Sequence, residues 1–183
     1  MYANGLSKTV VDSASEVLET MCFACVLGLV EPEALADRNN ISSTVRFAGD
    51  LAGSMSVTVP HPYARSLASS FLGITEAEVS PLVTRQFVSE LTNMICGCVL
   101  TGLDSQGAFQ LFSPTVDQPA GGTVAASGAA GESLPPAPAA EDSTSADAKA
   151  AFAGGPACLH VLDTGDGVIA VELQLETADE RRE

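Results

Sequence analysis

Tryptophan is absent from this 183-residue chain, and two tyrosines with seven phenylalanines are its only aromatics. A core without large rings has to be built from Val, Leu, Ile and Ala, with a few Phe. Basic residues are also scarce. Eight Lys and Arg stand against 23 Asp and Glu, a formal net charge of −15. Binding to a phosphate backbone needs clustered cations that release counterions, so this balance argues against nucleic acid as a partner. It argues equally against anionic membrane surfaces, and otherwise favours solubility.

Long apolar runs are missing too. The longest, "MCFACVLGLV" at 21–30, is too short to cross a bilayer. Glu16 and Glu19 precede it where an export signal would carry positive charge. The expectation is a cytoplasmic protein whose five cysteines are reduced thiols. The length suits one domain with a sizeable core.

Periodicity predicts a first helix over 9–29, with Val10, Val17, Met21, Phe23 and Leu27 inside and Asp12, Glu16 and Glu19 outside. "VEPEALADRNN" reads as a connector. "STVRFAG" and "SMSVTVP" read as two strands around the turn "GDLAG", ending at Pro60. "PYARSLASSFLG" is a short helix closed by Gly73. Thr75 and Glu78 form a capping-box pattern, Pro81 permits a break, and a long helix then runs to about Thr101. A short strand, "AFQLF", precedes Pro114.

Residues 117–156 are Ala, Gly, Pro, Ser and acids, with hardly a large apolar side chain. They cannot bury enough surface to offset ordering, which predicts a disordered insertion. "ACLHVLDTGDGVIAVELQLE" is a hairpin around "TGDG", and 177–183 form a charged tail. The domain is therefore 1–116 together with 157–176. Its fold class is α/β in an α+β arrangement: a mainly antiparallel sheet backed by two long helices.

Two stretches resemble each other. "SEVLETMCFACVLGL" (15–29) matches "SELTNMICGCVLTGL" (89–103) at Ser, Glu, Cys, Gly and Leu, which suggests an internal pseudo-duplication. Asn93 then corresponds to Glu19, and Gly97 to Phe23.

Cysteines invite a metal or redox reading, but Cys96 and Cys98 point about 200° apart on a helix and cannot share one ion. Cys22 and Cys25, read as mid-helix, lack the N-terminal dipole that activates a thiol. They are expected to be small core residues. His61 and His160 sit in no cluster of ligand or nucleophile spacing, and Ser113 lacks the Gly-x-Ser-x-Gly frame. No metal site is expected.

On the long second helix, Val83, Phe87, Leu91, Met94, Ile95 and Cys98 form an apolar stripe facing a sheet. Gln86, Glu90, Asn93 and Gly97 form a separate outward line nearly bare of other charge. Asn and Gly are poor helix formers and together cost roughly 1 kcal/mol or more in mid-helix. Gly97 also leaves room for a partner's backbone or a phosphate to approach.

The stretch "SELTNMICG" resembles the Glu-x-x-Asn signature of the CheC/CheX/FliY chemotaxis phosphatases. "FAGDLAGSMSVTVP" is similar to the family's first hairpin, "LFSPTV" to its strand-then-proline, and the closing hairpin matches as well. With one motif helix the chain is most similar to CheX. The resemblance implies a phosphatase acting on the aspartyl phosphate of a CheY-like response regulator. It implies that Asn93 orients the attacking water and Glu90 pairs with the receiver's lysine, while Gln86 and Gly97 contact the partner. Mg²⁺ would come from the phosphorylated receiver, with no cofactor on this chain, and a homodimer is a possible assembly. Where the family tends to place Asp or Ser, four residues before the motif Glu, this chain has Gln86. That difference sustains an alternative: a non-catalytic receiver-binding adaptor or flagellar-switch-like module.

Overall fold

A computed structural model describes residues 2–36, 39–117 and 156–176. The chain opens with helix α1, Tyr2–Met21, which buries Leu6, Val10, Ala14, Val17 and Leu18 at helical spacing. Strand β1, Gly28–Val30, follows, and Pro32–Leu35 form one turn of 3₁₀ helix. Strands β2, Asn40–Gly49, and β3, Gly53–Pro60, make the first hairpin. Helix α2, His61–Leu72, ends at Gly73, whose φ of 66° supplies the left-handed closing residue. Helix α3 spans Pro81–Leu103. The short strands β4, Phe109–Leu111, and β5, Thr115–Asp117, come next, then the closing hairpin β6, Ala157–Asp163, and β7, Val168–Leu175.

All strand pairs are antiparallel, in the order β1-β6-β7-β3-β2-β4, with β5 also on β2. One face of the sheet is apolar: Val45 sits opposite Met55, Val57 opposite Val171, and Met55 opposite Leu173, all fully buried. The other face is polar, with hydroxyl pairs Ser42–Thr58 and Thr44–Ser56, each at 2.8 Å. Such alternation describes a sheet covered by helices on one side and solvated on the other. At the start of β3 Gly53 permits close pairing with β7, since a Cβ there would stand 2.1 Å from the Gln174 carbonyl oxygen.

The topology supports the duplication. The halves α1-β1-β2-β3 and α3-β4-β6-β7 meet between β3 and β7. The short strand after each long helix pairs with the outer hairpin strand of the opposite half.

The first helix differs from its expected span. It begins earlier and stops at Met21, not at residue 29. The amides of Cys22 and Ala24 both donate to the Leu18 carbonyl, at 3.1 and 3.0 Å, while Phe23 adopts φ 57°. The helix thus closes with phenylalanine in the left-handed conformation that at helix ends is usually given to glycine. Met21, Phe23 and Leu27 are exposed rather than core. Phe23 cannot fill a helical position equivalent to Gly97. Cys22 and Cys25 lie beyond the helix end, not within it. A short apolar run does not distinguish a helix's last turn from an edge strand, and here the run covers a helix end, a loop and β1.

Smaller differences follow the same logic. The Thr75–Glu78 capping box exists, but it closes the single 3₁₀ turn Glu76–Glu78. The long helix has its own cap, Ser80 Oγ, which accepts from the Val83 amide at 3.3 Å, with Pro81 at the first position. Asp117, placed in the insertion from composition, ends strand β5. Pro156 accepts from the Leu175 amide at 3.1 Å. Residues 118–155 and the tail 177–183 lie outside the described residues.

Candidate functional site

Helix α3 lies over β2 and β3 with α1 and α2 also against it. Its buried arc is accordingly wider than one stripe. Phe87, Leu91 and Ile95 are buried as expected, while Val83, Met94 and Cys98 are only half-buried. Thr84, Val88, Thr92, Cys96, Val99 and Leu100 are buried as well. Phe87 meets Phe71 of α2 with ring centroids 5.5 Å apart. Toward α1, the Cys98 thiol donates to Glu16 at 3.8 Å, and Gly102 admits the Thr9 methyl, which a Cβ would meet at 2.8 Å.

At about 100° per residue, the centre of this arc falls opposite the line Gln86–Glu90–Asn93–Gly97. The line faces outward as the sequence suggests: Gln86 and Glu90 are exposed, Asn93 and Gly97 half-buried. A Cβ built on Gly97 would meet nothing within 4 Å. The helix is thus not forced to glycine there by any neighbour among the described residues. An acid, an amide and a gap lie along one accessible face of a helix capped by Ser80. Such a face can dock against a concave partner site and insert a neutral amide that both donates and accepts hydrogen bonds.

Beside the line runs a groove of about 390 Å³ between α3 and β5, lined by Leu82, Arg85, Gln86, Ser89, Glu90 and Val116. The structure brings Gln86 and Glu90 into this groove. Asn93 and Gly97 continue the same face beyond it. Reading the sequence missed Leu82, Arg85, Ser89 and Val116, because β5 was not recognised and the flank of α3 has no motif. The one signal was Arg85 itself, a cation in an acid-rich chain.

The cysteines divide by burial. Cys22 and Cys96 are buried, Cys98 and Cys158 are half-buried, and Cys25 is exposed, so Cys25 is not a core residue. Burial pushes the Cys22 thiol up to about 11 and the Cys96 thiol up to about 12, from an ordinary 9.0. Well below pH 9 both thiols are protonated whether the chain is folded or not, and their contribution to stability is complete. From about pH 9 up to about 11 for Cys22 and about 12 for Cys96, the unfolded chain loses protons that the folded chain keeps, so stability falls as pH rises. Denaturant midpoints should be flat from about pH 7 to 8 and decline above about pH 9, less steeply in a Cys22→Ala/Cys96→Ala double variant. An identical decline in both proteins would assign the alkaline loss to other groups.

His160 meets Ser7 of α1 at 2.8 Å. Burial lowers its pKa, and the contact ties α1 to the sheet. No three His, Cys, Asp or Glu side chains converge among the described residues. No helix among them is long and apolar enough to cross a membrane.

The fold and much of the sequence resemble known proteins. Solved structures of similar fold include the CheX–CheY–BeF₃–Mg²⁺ complex from Borrelia burgdorferi, with a TM-score of 0.62 and 18% identity over 93% of this chain and 97% of that one. CheX from Vibrio vulnificus gives a TM-score of 0.61 and 19% identity, covering 93% of this chain and 96% of that one. CheX from Desulfovibrio desulfuricans gives 0.60 and 22%, covering 93% and 99%. No curated protein sequence matches significantly. Residues 41–135, just over half of the chain and including the whole of α3, match the family described as chemotaxis phosphatase CheX. The chain belongs to the chemotaxis phosphatase CheX family.

Proposed function

We propose that this protein hydrolyses the aspartyl phosphate of a CheY-like receiver domain. The observation that carries the reading is the outward face of α3, where Glu90, Asn93 and the open position at Gly97 stand in line. An acyl phosphate is already activated. Water attacks phosphorus, the bond from phosphorus to the aspartyl oxygen breaks, and inorganic phosphate and a carboxylate are released. What remains for a partner protein is to hold the water in line and exclude unproductive geometries.

Asn93 is suited to that task because its amide donates and accepts without changing protonation state. Glu90, one turn earlier, pairs with the receiver's lysine and fixes the docked helix through a charge-assisted hydrogen bond. Gln86 contacts the partner at the near edge, and Gly97 lets its surface come close. Mg²⁺ belongs to the receiver, and this chain supplies no metal ligand to the step. Helix α1 keeps Glu16 where α3 has Glu90, but Glu19 where α3 has Asn93, so the reading assigns one site per chain.

The test is release of inorganic phosphate from a phosphorylated CheY-like receiver, with this protein present in less than stoichiometric amount. Repeated turnover well above the receiver's own decay is the expected outcome. Binding of the phosphorylated receiver with unaltered decay would replace this reading with the adaptor reading.

A further inference from the structure

We infer that Arg85 and the groove beside it form a second anchor for the same receiver, taking a segment in which a carboxylate stands next to an apolar side chain. The inference rests on the receiver reading above and adds a specificity-determining residue to it.

Arg85 is set apart by its lack of an internal role. Lys8 pairs with Asp12, Arg46 with Glu176 at 3.7 Å, and Arg65 donates through Nε to the Glu76 carbonyl at 2.7 Å. Among the described residues Arg85 has neither a hydrogen bond nor an ion pair, although its side chain is half-buried in the groove wall. An unpaired guanidinium beside apolar surface is a site for a carboxylate from outside. In a chain of net charge −15 it is also a local exception to a field that repels acidic partners.

The apolar half of the anchor is Leu82, which is 58% exposed in the first turn of α3, with Val116 of β5 lining the same groove. The groove, at about 390 Å³, has room for a side chain or two and opens onto Gln86 and Glu90. Arg85 and Glu90 both line this groove, about 7.5 Å apart along the helix axis, so one partner surface can reach both. Opposite charges at that spacing ask the partner for a cation at Glu90 and a carboxylate at Arg85. Such a pair fixes the direction of docking and rejects surfaces of uniform sign.

The experiment titrates a beryllofluoride-loaded receiver into wild type, Arg85→Glu and Arg85→Lys, beside turnover of the phosphorylated receiver. Arg85→Glu should weaken binding and raise KM about tenfold or more, with kcat little changed, and the difference should shrink at high salt. Arg85→Lys should recover most of the loss because the charge returns. Unchanged affinity in Arg85→Glu, with normal receiver binding by wild type, would overturn the anchor and leave the hydrolysis reading intact. Tighter binding in Arg85→Glu would overturn it too, since that is the sign for an acidic stretch of this chain occupying the groove. Wild type that fails to bind the receiver at all would remove both readings together.

Discussion

Asn93→Ala is expected to lower catalysed dephosphorylation of the receiver by about a hundredfold or more, the usual cost of deleting one group that acts in the transition state. Its effect on receiver binding should be small, because a water-orienting amide stabilises the transition state more than the docked complex. The fold should not suffer. Asn93 is half-buried on the outward face of α3, with no side-chain hydrogen bond among the described residues. Alanine is the better helix former by about 0.5 kcal/mol. A variant slightly more stable and far less active separates a functional role from a structural one.

Glu90→Ala gives the contrast. Losing a charge-assisted contact should weaken docking about tenfold or more, and Glu90→Lys should be worse because like charges meet. Single-turnover decay beside a binding titration reads both quantities. Decay in Asn93→Ala as fast as in wild type would show that this helix face is not catalytic.

Much of the molecule was legible because local chemistry and tertiary structure agree. The β2–β3 and β6–β7 hairpins have alternating side chains and turn residues between them. Gly73 stops α2 where a left-handed residue is needed. The polar line of α3 was legible because the rest of that helix is so apolar. What failed were features decided at a distance. Nothing local in "MCFACVLGLV" says that the helix ends after Met21, since Phe23 takes a conformation its side chain disfavours. Strands β1 and β5 are three residues each and owe their existence to pairing with β6 and β2. Burial of Thr92, Cys96 and Val99 depends on how α1, α2 and the sheet surround α3. The Arg85 groove requires β5, so it could not be seen before that strand was placed.

Gly97→Phe should abolish productive docking while leaving the free protein at least as stable as wild type. The reasoning starts from space. A Cβ at Gly97 meets nothing within 4 Å, so a larger side chain projects outward without displacing a neighbour among the described residues. Its backbone is helical, with no positive φ that would demand glycine. Glycine costs about 1 kcal/mol against alanine in a helix interior, and phenylalanine costs less than glycine, so propensity alone favours the substitution. A ring at that position extends several ångströms into the volume a docked partner must enter, one turn from Asn93. Loss of receiver binding and of accelerated decay together, with an unchanged or higher melting temperature, is the expected pattern. It would identify Gly97 as a residue held against stability for the sake of close approach. Normal binding and turnover in Gly97→Phe would mean that the receiver docks elsewhere, and the face running from Gln86 to Gly97 would lose its role as the interface.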